Sequence, residues 1–203
     1  MIQLLAPWIP YIAVLIGMYL FQSAWLAILL YHAGIAGLHL CRKPAGLWRR
    51  LVSGPGLPLL VPGLIVCALA APAVWFLWPW LAVSDSVLPA WLAYYGLTGW
   101  AWLLFIPYFS IIHPVLEELH WRELDPHRTG ICRQDLLFAG YHVLVLSQLV
   151  KTPGLCLVFV VLTGSSVFWR WSAKRFGGYA LPVFTHAMAD AGVMAGVCFL
   201  LGR

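Results

Sequence analysis

The chain has 203 residues, 63% of them hydrophobic and 9% charged, with a formal net charge of +5 and a mean hydropathy of +0.88. A soluble domain is roughly 45–50% apolar, so a water-soluble fold of this composition would expose large apolar patches. The basic residues lie between apolar runs, where they act as topology signals; no nucleic-acid partner is expected.

The expectation is an all-α fold: one membrane-embedded domain over residues 1–203, built as a polytopic transmembrane helix bundle of about six helices, or seven. The first apolar run covers residues 4–40. It lacks the basic start of a secretory signal and far exceeds an h-region of roughly 7–15 residues. A single long tilted helix after Pro10 is the favoured reading, and a pair broken near Gln22-Ser23 is the alternative. Further spans are expected at 57–81, 89–116, 131–150, 153–169 and 179–202. Pro and Gly punctuate the junctions at Ser53-Gly54-Pro55, Pro153-Gly154 and Gly177-Gly178. Gly140, Gly178 and Gly164-Ser165-Ser166 are candidate close-approach positions or ordinary small-residue packing.

Ten of the twelve basic residues then share one face: Arg42, Lys43, Arg49, Arg50, Arg122, Arg128, Arg133, Arg170, Lys174 and Arg175. Only Lys151 and Arg203 fall opposite. The positive-inside rule makes the crowded face cytoplasmic. Six spans put both termini outside, and a seventh near the start moves only the N-terminus. Trp48, Trp121, Trp169 and Trp171 are expected near the inner boundary, and Trp78, Trp80 and Trp91 near the outer one. The five cysteines form no CxxC pair, and three lie inside apolar spans, so they are expected to be unpaired and buried.

Ionisable groups at membrane depth cost roughly 2.5–3.5 kcal/mol each and mark functional sites. Glu117 and Glu118 close the third apolar run. Adjacent helical residues point about 100° apart, so the two acids serve different faces. Glu118 and Arg122 have the favourable i,i+4 order for an ion pair. Glu117 has no basic partner in its helix, although His120 is three residues on. Pro114 is expected to kink its helix or to start a new one. His142 lies roughly 16 Å into its span; His186 and Asp190, four apart on one helical face, lie at roughly 10 and 16 Å. Each has a plainer alternative: acids solvated at an interface for Glu117 and Glu118, a hydrogen-bonded packing residue for His142, and a structural pair for His186 and Asp190. Together they outline a polar site between the cytoplasmic boundary and the midplane, with a motif core at about residues 110–195.

Those residues carry a resemblance. Glu117-Glu118-x-x-x-Arg122, Phe138-x-x-x-His142 and His186-x-x-x-Asp190 resemble, in order and spacing, the EExxxR, FxxxH and HxxxN/D motifs of the CPBP family (CAAX proteases and bacteriocin-processing enzymes, also called Abi). The resemblance covers about residues 114–190 and implies an intramembrane glutamate-dependent endopeptidase. It implies catalytic positions at Glu117, His142, His186 and Asp190, with Glu118, Arg122 and Phe138 in support. The CAAX endopeptidases carry Asn at the last position, whereas Asp190 is the family's other residue. An ionised Asp cannot donate to an oxyanion.

The expected chemistry is hydrolysis by an activated water. Glu117 is the candidate general base, with His142 orienting or sharing the water. His186 is the candidate oxyanion donor. Asp190 either donates when protonated or, ionised, orients His186, which is the favoured reading. The expected partners are a membrane-associated protein or C-terminally tagged peptide substrate and the lipid bilayer, and the expected location is a bacterial inner membrane. No cofactor is expected. Two alternatives stand: a zinc protease using His142 and His186 with Glu117 or Asp190, although HExxH is absent, and a non-enzymatic immunity factor, chaperone or proton-linked transporter.

Overall fold

The computed structural model describes residues 5–42, 46–84, 86–124 and 129–202. Arg42 (its side chain), Lys43, Arg128 and Arg203, all used above for topology, lie outside the described residues. The described chain forms nine helices: α1 (Ala6–Leu20), α2 (Ala24–Arg42), α3 (Leu47–Val52), α4 (Leu57–Leu81), α5 (Val87–Tyr94), α6 (Gly99–Leu124), α7 (Arg133–Leu146), α8 (Thr152–Phe176) and α9 (Ala180–Leu201). Five of them, α2, α4, α6, α8 and α9, are long and apolar enough to cross a membrane. The protein is an all-α, multi-pass membrane protein.

Element boundaries differ from the sequence reading in three places. The run at 4–40 is two helices, not one. Gln22 adopts φ +51°, Ser23 N–H donates to the Gly17 carbonyl (2.8 Å), and the Ser23 hydroxyl accepts from Leu26 N–H (3.2 Å), which caps α2. α1 folds back on α2 and buries Ala13, Val14 and Met18 against Ala27, Ile28 and Tyr31. The run at 89–116 is also divided. Gly96 and Gly99, at φ +74° and +51°, turn the chain between α5 and α6 in a conformation that costs other residues free energy. The span placed at 131–150 is the 14-residue α7, about 21 Å long, shorter than the hydrocarbon core.

The second break relocates the acidic pair. Glu117 lies well inside the 26-residue α6, not at the end of a span. Pro114 neither ends this helix nor starts another. A π-helical stretch, Tyr108–Ile112, precedes it and re-spaces the backbone where the missing Pro N–H would otherwise interrupt the ladder.

Two backbone clasps close the bundle. At one end Lys151 N–H donates to Leu81 carbonyl (2.8 Å) and Val83 N–H to Leu149 carbonyl (3.1 Å). At the other, Tyr179 N–H donates to Arg50 carbonyl (2.7 Å) and Ala180 N–H to Ser53 carbonyl (3.0 Å). Gly178 sits against Ser53 there, and Gly140 against the Tyr11 hydroxyl; each leaves no room for a Cβ. Gly164 faces open space.

Several side chains expected at boundaries are internal. Trp121 and Trp169 are buried, whereas Trp48 and Trp171 are exposed. Arg122 and Arg170 are buried too, so they are structural cations as well as topology signals. All five cysteines are unpaired as expected, but none is buried.

Candidate active site

Four helices, α2, α6, α7 and α9, meet around Glu117, which has no exposed surface. Its Oε1 accepts three hydrogen bonds, from the hydroxyls of Tyr31 (2.8 Å) on α2 and Tyr141 on α7, and from the Trp121 indole (3.2 Å) one turn along α6. Trp121 also donates to the Tyr31 hydroxyl (3.0 Å). Oε2 is different. It has no hydrogen-bond partner among the described residues and faces His113 Nε2 at 3.5 Å and His186 Nε2 at 3.6 Å. One oxygen is fixed and the other is turned toward two imidazoles.

Glu118, equally buried, takes another face of α6. Its Oε2 contacts Arg122 Nε at 2.9 Å, the pair that the spacing implied. Its Oε1 accepts from His186 Nδ1 at 2.9 Å. The ladder continues. Arg122 donates to the Ser166 carbonyl (2.7 Å) and hydroxyl (3.3 Å), and that hydroxyl donates to Asp135 (2.8 Å). Asp135 in turn pairs with Arg170 at 2.7 Å. These contacts tie α6, α7 and α8 together.

His186 is therefore held by Glu118 at Nδ1 and by Trp169, which stacks on its ring at 4.3 Å and is itself anchored on Thr185 (3.0 Å). Its Nε2 lies 3.7 Å from Asp190 Oδ1. Glu118 thus makes the hydrogen bond to Nδ1, and Asp190 approaches the ring from the other nitrogen. Asp190 faces the same imidazole nitrogen as Glu117.

His142 reaches the site indirectly. Its Nδ1 donates to the Phe138 carbonyl (2.8 Å), because a carbonyl can only accept. Its Nε2 lies 3.1 Å from the Tyr141 hydroxyl, which bridges to Glu117. Phe138, with no exposed surface, sets its ring edge-on to both His142 (4.7 Å) and His186 (6.1 Å). His120 does not take the position beside Glu117 that its spacing allowed; it packs edge-on against Tyr31 at 5.8 Å. His113, four residues before Glu117, takes that position.

The sequence reading missed Tyr31, His113, Trp121 and Tyr141 as ligands of Glu117. Helical spacing held a signal for two of them, since His113 and Trp121 lie at i−4 and i+4. Tyr31 and His32 were legible only as polar groups in an apolar run. His32 extends the network: its Nε2 meets His113 Nδ1 at 3.0 Å and its Nδ1 meets the Tyr108 hydroxyl at 2.7 Å.

Measured from the helix ends where Arg and Lys gather, Glu117, His142, His186 and Asp190 lie about 9–15 Å deep at 1.5 Å per residue. An apolar groove of about 540 Å³ lies between α4, α6 and α9, lined by Leu64, Ser110, Phe184, Ala187, Met188 and Ala191 among others and by none of these four. Among the described residues, no three His, Cys, Asp or Glu side chains are arranged to hold a metal ion. His142 reaches Glu117 by way of the Tyr141 hydroxyl, and the zinc alternative finds no ligand set among the described residues. Compared with protein-family models, curated proteins and solved structures, the chain has no match.

Proposed function

We propose that this chain is an intramembrane endopeptidase of the CPBP type, hydrolysing a peptide bond of a membrane-associated or C-terminally tagged protein. One observation carries the reading: a fully buried carboxylate with one oxygen anchored by three donors and the other facing His113 and His186. A general base needs its reactive oxygen positioned and its partner oxygen held still.

In the proposed step, a water seated between Glu117 Oε2 and the substrate carbonyl gives its proton to Oε2. The hydroxide oxygen bonds to the carbonyl carbon, and the developing oxyanion accepts from His186 Nε2–H. A donor of this kind is typically worth about 2.7–4 kcal/mol. The C–N bond then breaks, and the amine leaves with the proton that Glu117 took. Glu118 and Arg122 hold His186 in register, and His142 acts through Tyr141 as a positioning residue. Asp190 shares the field at His186 Nε2. The apolar groove beside Ala187 and Ala191, chain neighbours of His186 and Asp190, offers a lipid-side route for an unwound substrate segment.

The proposed setting is a bacterial inner membrane, with the site in the cytoplasmic half. The clustering of Arg49, Arg50, Arg133, Lys174 and Arg175 at the site's end of the bundle, opposite Lys151, supports that orientation. The test is terminal-peptide mapping of membranes expressing wild type or Glu117→Gln at equal levels. A neo-terminus present only with wild type supports the reading and names the substrate; identical peptide sets contradict it.

A proton-linked transporter is favoured by one feature, the continuous Tyr108–His32–His113–Glu117 chain. Proteoliposomes separate the two. A transporter moves protons with a solute and loses that flux in His113→Phe, whereas a hydrolase moves none.

A further inference from the structure

The hydrolytic step leaves two buried imidazoles without a role: His113 on α6 and His32 on α2. The backbone explains how they meet. Tyr108 and His113 are five residues apart, and in a regular α-helix five residues turn about 500°, which is about 140° off the starting face. The π-helical stretch Tyr108–Ile112 reduces that offset, closed by His113 N–H donating to the Tyr108 carbonyl. Both side chains then reach one partner on α2. His32 Nδ1 meets the Tyr108 hydroxyl at 2.7 Å, and His32 Nε2 meets His113 Nδ1 at 3.0 Å. Phe109 stacks on the His113 ring at 4.8 Å, and Tyr31 packs edge-on to it at 6.0 Å. These contacts hold the ring with its Nε2 3.5 Å from Glu117 Oε2.

The acceptor at the end of this row sets every proton in it. An ionised carboxylate only accepts, and a neutral imidazole carries one N–H. With Glu117 ionised and both rings neutral, His113 carries its proton on Nε2 and accepts at Nδ1. His32 then donates from Nε2 and accepts at Nδ1, where the Tyr108 hydroxyl donates. The reverse order needs a protonated Glu117 that donates to His113. A buried carboxylate is costly unless donors surround it, and Glu117 has no Arg or Lys contact among the described residues. Tyr31, Tyr141 and Trp121 all donate to Oε1. On the Oε2 side, His186 approaches from α9 at 3.6 Å, but its ring is shared with Glu118 and Asp190. We propose that His113, aligned by His32 and Tyr108, is a positioning residue that keeps Glu117 a carboxylate by turning an N–H toward Oε2. The 3.5 Å separation is longer than a closed hydrogen bond, so Oε2 stays open to a proton. The proposal concerns the carboxylate itself and stands whether or not the chain cleaves peptides.

The test reads Glu117 directly. Infrared spectra are taken of purified full-length protein in nanodiscs over a series of pH values, and the matching Glu117→Gln spectrum is subtracted to isolate the Glu117 bands. Wild type is expected to show carboxylate stretches at neutral pH. In His113→Phe, the ratio of carboxylate to acid at a given pH is expected to fall about tenfold or more, the worth of one donor to a charged group. His113→Gln, whose amide supplies an N–H, is expected to restore most of that ratio, whereas a purely structural role makes the two variants alike. An acid band from Glu117 in wild type at neutral pH, an unchanged ratio in His113→Phe, or a Gln variant that behaves like Phe overturns the proposal. Nitrogen-15 spectra of histidine-labelled wild type carry the test even if the variants fail to fold. Coupling across the shared N–H···N bond identifies the His32–His113 pair, and both rings are expected to be neutral with the proton on Nε2. A proton on His113 Nδ1 overturns the proposal.

Discussion

Glu117 and Glu118 are neighbours in sequence and equal in burial, yet α6 delivers them to two different chemical regions. Around Glu118 charge meets charge: Arg122, then Ser166, Asp135 and Arg170, in a ladder that crosses three helices. Around Glu117 there is no Arg or Lys contact among the described residues. Phenols, an indole and imidazoles surround it, and one of its oxygens keeps no hydrogen bond. A rotation of about 100° per residue produces this separation. It teaches that the same side chain at the same depth serves as a strut when its charge is cancelled and as a candidate base when one oxygen is left facing proton carriers.

The comparison breaks first at Arg122. Arg122→Met leaves Glu118 with His186 as its partner among the described residues and removes the link to α8. Severing a buried pair costs about 3–5 kcal/mol, so the unfolding midpoint in detergent should fall sharply. A midpoint near that of wild type would mean the ladder is not a strut. His186→Gln tests the junction of the two regions. It should lower turnover roughly 10²–10³-fold, the worth of an oxyanion donor, while most of the folded protein is recovered.

Tyr141→Phe sharpens the account of Glu117. It removes one of three donors on Oε1 and leaves Tyr31 and Trp121 in place. A hydrogen bond to a charged group contributes about 1.5–3 kcal/mol, so turnover should drop about tenfold or more, with no change in the product formed. A Tyr141→Phe enzyme with wild-type rates would show that anchoring Oε1 is irrelevant. Cys156→Ser is the smallest test. Cys156 is exposed and touches neither region, so its effect should stay within about 0.5 kcal/mol by the same unfolding assay.

Much of this arrangement was legible in the sequence because it follows helical spacing. The Glu118–Arg122 pair and the shared face of His186 and Asp190 are i,i+4 relations, and both appear in the structure. The all-α membrane class followed from composition. What was not legible required knowing which helices touch. Tyr31 is 86 residues from Glu117, and no local pattern joins them. Asp135 and Arg170 stand 35 apart and find each other only once α7 and α8 pack. The break at Gln22 was hard to weigh, because a non-glycine residue at positive φ is uncommon. His113 is a different kind of miss. Its i−4 relation to Glu117 competes with the i+3 relation of His120, and only tertiary packing turns His120 toward Tyr31.

The central claim, that Glu117 is the reactive acid and Glu118 the structural one, is tested most directly by turnover of a mapped peptide measured alongside the unfolding midpoint for Glu117→Gln and Glu118→Gln. The account predicts that Glu117→Gln loses about 10²–10⁴-fold in rate with a midpoint close to wild type, while Glu118→Gln lowers the midpoint. A Glu117→Gln protein that still cleaves at the wild-type rate would contradict it.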